Sequence, residues 1–352
     1  MMTDAVSRRI AAIKDHLSEI LSRKPVFSAD PATHSFCQMR LQWLADTRAI
    51  DTAAESILSG TQWYAAERAL IIDNGYNPLT TAELIIAAYI TGTAVRIRTR
   101  NHSDWLTMLC GQPGADNIIC EFADPAQSDA ALLRNTDTVM VTGTDALIRH
   151  WRKITPPHIR LTENGPKISA MAICGSDLPA PELILWDTCL FFRGVSNSPR
   201  FILLDSPMMA ERLYSSLSQV LDELPRLPQH IRLLQMVKAR ELTLHHVLAP
   251  DFRPPVYSAV SGWGLTLQRE FEPAHWLPYG FNLIAGDPAE HLKLAAKHWP
   301  GQLQTLGCHG RADLLPLRAS RFLRHCNTGQ MHNQPFSFSA LITPVQNDIR
   351  LR

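Results

Sequence analysis

The chain has 352 residues, 45% hydrophobic and 19% charged, which is enough apolar side chain for two domain cores and excludes a largely disordered polymer. Lys and Arg number 34 against 33 Asp and Glu, so the net charge of +1 gives no general electrostatic basis for binding nucleic acid or anionic lipid. The longest apolar run, Leu84–Ile90, is too short for a bilayer span, charges recur through the first 25 residues, and the 7 cysteines show no Cys-x-x-Cys spacing; a cytoplasmic protein with no membrane span and no metal site is expected.

Val6, Ile10, Ile13, Leu17 and Ile20 recur at helical spacing, so the chain should open with an amphipathic helix capped at Asp4. Strand and helix then alternate. Ala69–Asp73, Ala94–Arg98, Asn117–Cys120 and Thr138–Thr142 read as strands, with Thr80–Thr91, His102–Leu109, Pro125–Arg134 and Asp145–Lys153 as the helices between and after them. Parallel strands need such crossovers, so the pattern predicts a parallel sheet with helices on both faces. A boundary falls near residues 164–170. Beyond it, Ser169–Cys174 and Phe201–Asp205 read as strands, and Glu182–Phe191, Met208–Leu224 and Gln229–Leu242 as helices. Further strands are expected at Tyr257–Val260, Leu265–Gln268, Asn282–Ala285 and Gln304–Leu306, with a helix over His291–His298. Phe336–Ser339 alternates like a half-exposed strand, suited to edge pairing between copies.

Four places hold chemistry-bearing residues. Thr142-Gly143-Thr144-Asp145 joins a strand to a helix without a full glycine-rich fingerprint; it suits a phosphate at a helix N-terminus, or a plain capped turn. Arg96, Arg98 and Arg100 lie on one side of a strand near its carboxyl end, where a guanidinium can pair with phosphate or simply face water. Glu163 stands on the turn Glu163–Lys167 and is a candidate general base or a surface carboxylate. Phe192–Pro199 is a polar loop before a strand that could line a site or be a structural turn; its Ser196 has no evident His and Asp companions, which disfavours a serine hydrolase.

Taken in order, these segments resemble the aldehyde dehydrogenase superfamily, and within it the acyl-CoA reductase (LuxC-like) family of bacterial luminescence. Gly75–Leu79 resembles the Asn-x-Pro-Leu segment that opens the cofactor domain, and Gly92–Thr99 the strand ending in a lysine contact to the cofactor. Asp137–Asp145 is similar to the strand and phosphate-binding turn, Glu163–Lys167 to the segment carrying the family's glutamate, and Asp187–Leu203 to the segment carrying its catalytic cysteine. The likeness spans Ala69 to Phe338.

The resemblance implies a Rossmann-like nucleotide-binding domain with the N-terminal helix (1–163), a second α/β catalytic domain (164–335), and a C-terminal β-extension (336–352). It implies NADPH as cofactor, held by Arg98, Thr142, Gly143 and Thr144, and a homo-oligomer. The substrate would be an acyl thioester, of coenzyme A or an acyl-carrier protein, reduced to an aldehyde. Catalytic roles would fall on Glu163, Asn77 and Ser196. Val195 occupies the place of the family's nucleophilic cysteine, and Tyr76 that of its asparagine. A valine cannot attack a thioester, so two readings stand: reduction through Ser196 or without a covalent intermediate, or a catalytically degenerate subunit serving an acyl-transferring partner. A different acyl chemistry on the same scaffold is a third.

Overall fold

The computed structural model describes residues 4–58, 63–75, 77–100, 103–111, 118–248, 253–311, 321–337 and 341–344. The chain divides into two compact units, Met1–Pro166 with Pro335–Arg352, and Lys167–Gln334.

The first unit opens with three helices, α1 (Asp4–Ser22), α2 (Pro31–Asp46) and α3 (Ala49–Leu58). α1 buries the five apolar residues that its spacing predicts and packs on α2 and on α4 (Pro78–Thr91). Asp4 is the first residue of the helix itself. The Asp30 carboxylate caps α2 by accepting from Thr33 N at 2.8 Å. Arg40, buried on α2, donates to Glu83 of α4 at 2.7 Å. The sequence reading places neither α2 nor α3, and α2 has no clean apolar stripe.

A five-stranded parallel sheet follows: β2 (Arg68–Asp73), β3 (Ala94–Thr99), β4 (Cys120–Phe122), β5 (Thr138–Thr142) and β6 (Arg160–Asn164), in spatial order β4-β3-β2-β5-β6. The preceding short strand β1 (Trp63–Ala65) pairs antiparallel with β14 (Ile342–Pro344). Crossovers run through α4, α5 (Asp104–Leu109), α6 (Asp129–Leu133) and α7 (Asp145–Ile154). Leu70, Ile72, Val139 and Val141 bury against Leu132, Leu133, Ile148 and Trp151 of α6 and α7. Gly92 ends α4 in the left-handed conformation (φ 78°), its N–H bonded to Ala88 O, which explains a glycine at that place.

The second unit has a seven-stranded sheet. Its strands are β7 (Ile168–Cys174), β8 (Pro199–Leu204), β9 (Val256–Tyr257), β10 (Gly264–Gln268), β11 (Gly280–Ala285), β12 (Leu303–Gly310) and β13 (Arg324–Asn327). The order is β13-β12-β7-β8-β11-β10-β9, and all neighbours are parallel except β9 with β10. α8 (Pro181–Cys189), α9 (Pro207–Val220), α10 (Gln229–Leu248) and α11 (Pro288–His298) complete it. Met171, Ile173, Ile202, Leu204, Leu265 and Leu283 bury on the face carrying α8 and α9. Ala170, Ala172, Phe201, Leu203 and Ile284 bury on the face carrying α11. The central strands β7, β8 and β11 are thus apolar on both faces, as a doubly covered parallel sheet requires. The whole is the α/β architecture expected, a nucleotide-type parallel sheet followed by a second α/β sheet.

Several boundaries differ from the sequence reading. β4 begins at Cys120 rather than Asn117, which lies outside the described residues, because Val95 N takes Ile119 O and pairs with Cys120 in register. β9 is only Val256–Tyr257; the chain turns at once through Ser258 and Gly262, whose N–H bonds Ser258 O. α8 stops at Cys189, two residues early, where the backbone changes hand. Met208–Leu224 yields a helix to Val220 and a separate turn over Leu221–Glu223, while α10 runs past Leu242 to Leu248. Phe336 and Ser337 are not in a strand, Phe336 is buried, and Phe338 lies outside the described residues. The C-terminal strand of the first unit is β14, and Phe336 offers no exposed edge for pairing with another copy.

The α1 stripe gives a direct test. Leu17→Ala empties a fully buried position and should cost about 2–5 kcal/mol, whereas exposed Ser18→Ala should stay within about 0.5 kcal/mol. Urea unfolding followed by circular dichroism checks both; equal effects would mean that α1 is not part of the core.

Candidate functional site

In an open parallel sheet ligands bind beyond the carboxyl ends of the strands, where the strand order reverses. In the first unit that place lies between β2 and β5, which start crossovers to opposite faces. Register decides which side chains gather there. Asp73, Thr142 and Asn164 are partners across β2, β5 and β6, and Asp73 is also level with Thr99 of β3. One residue earlier, Arg98, Ile72, Val141 and Glu163 are partners on the opposite face.

Asp73 points toward α4. Its carboxylate accepts from Thr81 Oγ1 at 2.9 Å and from Gly75 N at 3.1 Å. Burial pushes its pKa above the usual carboxylate range, partly offset by these donors. Asn77, a candidate catalytic residue, is the N-cap of α4 and accepts from Leu79 N at 3.1 Å. Tyr76 lies outside the described residues.

The β5–α7 turn is tight. A Cβ at Gly143 would sit 2.6 Å from Leu147 Cδ2, so a side chain there would require the tip of Leu147 to move. Thr144 caps α7, its hydroxyl accepting from Leu147 N. The first N–H groups of a helix have no intrahelical acceptor, and they give this end its positive dipole. Gly143 N–H itself is spent on Asn164 O at 3.2 Å, and Asp145 adds a carboxylate in the first turn. Thr142, Gly143 and Thr144 therefore form a tight strand-to-helix turn at the start of α7.

The charged candidates on the other face are engaged. Arg98 is ion-paired with Asp129 on α6, which also takes His150 Nε2 of α7 at 2.7 Å. Arg96 is paired with Glu121 at 2.9 Å; Arg100 is exposed. Glu163 receives both arms of Arg152, Nε at 2.7 Å and Nη2 at 2.5 Å. The guanidinium holds its carboxyl below the usual range, which suits a charge partner and makes a weak base.

In the second unit the segment after α8 is strained. Phe191, Phe192 and Arg193 have φ of 55°, 50° and 58°, a left-handed run of three residues with side chains. Each costs about 1–3 kcal/mol and persists only where surroundings over-determine it. Those surroundings are visible. Phe191 packs on His332 with ring centroids 6.0 Å apart. Arg193 is fully buried and donates to Gly280 O; burial drives its pKa well below the ordinary value. Ser169 of β7 donates to Ser196 O at 2.6 Å and takes Thr305 N of β12. Thr305 Oγ1 is bonded to Asn197 Oδ1 at 3.2 Å, and Ser198 N to Val195 O at 3.3 Å. The loop is a turn pinned from three strands. Val195 is 6% exposed within it, and Ser196 is half-buried. Among the described residues no imidazole or carboxylate hydrogen-bonds the Ser196 hydroxyl.

α8 also carries Asp187, fully buried, whose carboxylate accepts from Gly329 N at 2.5 Å and Met331 N at 3.0 Å. His332 Nε2 lies 2.9 Å from Asp187 O. Desolvation raises the Asp187 carboxyl to about 7 and lowers the His332 imidazole to about 4. The sequence signal for this pair is an aspartate inside the otherwise apolar run of α8. The other residues missed from sequence are Asp73, Ser169 and Thr305, each an ordinary strand residue until register brings it to a loop.

No family model and no curated protein sequence matches this chain. Solved structures do. Lactaldehyde dehydrogenase from Escherichia coli superimposes with a TM-score of 0.68 at 13% identity, covering 92% of this chain and 79% of that one. An aldehyde dehydrogenase described as putative, from Burkholderia cenocepacia, gives 0.67 at 14% identity, covering 93% and 80%. A mutant aldehyde dehydrogenase C from Pseudomonas syringae, complexed with NAD+ and octanal, gives 0.62 at 10% identity, covering 97% and 84%. The chain has the aldehyde dehydrogenase fold.

The Asp187–His332 pair predicts opposed pH effects. A carboxyl raised above its unfolded value contributes stability that is full below about 4 and lost as pH rises to about 7. An imidazole lowered from 6.5 to about 4 contributes stability that is full above 6.5 and lost as pH falls through 4. Asp187→Asn should therefore steepen the loss of thermal stability between pH 6.5 and 4, and His332→Gln should reverse its sign. Identical melting profiles for the two variants across that range would refute the pair.

Proposed function

We propose that the chain is an aldehyde dehydrogenase-like oxidoreductase that holds a nicotinamide dinucleotide, NADPH, at the carboxyl edge of the first-unit sheet and reduces an acyl thioester to an aldehyde. The observation that carries this reading is the side-chain-free Gly143 turn at the reversal of strand order. The fold likeness to proteins solved with NAD+ and with NADP supports the cofactor class. When bound, such a cofactor supplies hydride.

The chain's own residues would do the rest. Thr142, Gly143 and Thr144 would seat the pyrophosphate against the start of α7. Arg98 would recognise a 2′-phosphate by exchanging Asp129 for it, since its charge is otherwise balanced. Asn77 and Glu163 keep positioning roles, the first at the head of α4 and the second as an ionised carboxylate held by Arg152. In the second unit, Ser196 presents the hydroxyl nearest the family's nucleophile position. With no base beside it, we assign it donation of a hydrogen bond to the thioester oxygen rather than attack.

Val195 favours a second reading, a binding or scaffold subunit that has kept the fold and lost acyl transfer to partner proteins. Its side chain is buried in a pinned turn, and a valine has no nucleophilic atom to offer there. Incubation with NADPH and an acyl-CoA separates the two. Aldehyde from the unmodified protein supports the reductase. No aldehyde from it, with aldehyde from Val195→Cys, supports the scaffold. Absence of any NADPH-induced thermal shift or fluorescence change removes both.

The Arg98 assignment has its own test. Arg98→Ala should weaken NADPH binding about tenfold and leave NADH nearly unchanged, the loss of about one charge-assisted hydrogen bond. Asp129→Asn, which releases Arg98, should shift the preference the other way. Equal effects on the two coenzymes by fluorescence titration would dismiss Arg98 as the phosphate contact.

A further inference from the structure

The first unit holds a pair of thiols outside the machinery described above. Cys110 caps the C-terminus of α5, and Cys120 opens β4. Their sulfurs lie 3.2 Å apart, Cys120 donating toward Cys110. Both are free and half-buried, whereas Cys37, Cys174 and Cys189 are buried. The backbone around the pair is fixed from both sides. The Tyr89 hydroxyl donates to Cys110 O at 2.9 Å and to Gly111 O at 2.8 Å, and Cys120 is in parallel register with Val95 of β3. A disulfide has its sulfurs about 2.05 Å apart, so the two must close by about 1 Å, a change that side-chain torsions supply.

We propose that Cys110 and Cys120 form a reversible thiol–disulfide site that responds to low-molecular-weight disulfides of the oxidised glutathione class. Charge developing on Cys110 has the Cys120 S–H facing it, which assigns Cys110 as the attacking sulfur. The Cys110 thiolate attacks one sulfur of oxidised glutathione, whose S–S bond breaks; a mixed disulfide forms and one glutathione thiolate leaves. The Cys120 thiolate then attacks the Cys110 sulfur, forms the internal bond and expels the second glutathione thiolate. Two protein thiols are oxidised, one glutathione disulfide is reduced to two thiols, and the two protons pass to them. Its hydrogen bond to Cys110 and burial push the Cys120 thiol up, so closure should be slow near neutrality and faster as pH rises.

The test needs only the intact folded protein. No Lys or Arg lies between Arg100 and Arg134, so both cysteines fall on one tryptic peptide, residues 101–134. The protein is incubated with oxidised glutathione at about pH 8, alkylated, digested and weighed. The expected result is that peptide lighter by two hydrogens, with neither alkyl group nor glutathione, and restored to two alkylated sulfurs by dithiothreitol. In Cys120→Ser, Cys110 should instead retain glutathione. The proposal is overturned if both sulfurs of the unmodified chain stay alkylatable after hours of exposure, or if either pairs with another cysteine.

Discussion

Register between β2 and its neighbours governs everything at the first-unit edge. Side chains alternate faces along a strand, so a slip of one residue would exchange the two faces completely. With Ile72 level with Arg98 and Val141, the arginine and Glu163 fall on the side of α6 and α7. There they meet Asp129, His150 and Arg152. Asp73 and Thr142 fall on the side of α4, where Thr81 supplies the donor that a buried carboxylate needs. The ion pairs and the buried aspartate are consequences of that one alignment.

Charge compensation then shapes what the edge can do. Arg98 and Glu163 each carry a partner already, so neither offers an uncompensated charge to a ligand. The half-exposed pairs contribute little to stability. Any anion reaching Arg98 would have to replace the Asp129 carboxylate rather than water.

The second unit works by constraint of the backbone. Three consecutive left-handed residues reverse the chain after α8, and a buried guanidinium, two hydroxyls and an amide hold the following turn. A turn fixed so firmly keeps its geometry whether or not a nucleophile stands in it. Val195 is buried within that turn and Ser196 is half-buried beside it.

Local signals carried the alternating strands and helices from Ala69 to Ile154, the α1 stripe and the Thr144 cap of α7, because periodicity and caps are properties of neighbours in the chain. They also located the Gly143 turn; Val195 stands out only through the family resemblance. α2 escaped because its apolar residues follow no clean stripe, and β13 because a four-residue strand with alternating exposure has almost no pattern. The partners of Arg98, Glu163, Asp187 and Ser196 lie between 11 and 145 residues away or on other strands. Which carboxylate meets which guanidinium, which aspartate loses its water, and which sulfur faces which are outcomes of strand register and helix placement. A single chain read in order contains the residues for those contacts, but the distances appear only when parallel strands, joined by long crossovers, bring them to one edge.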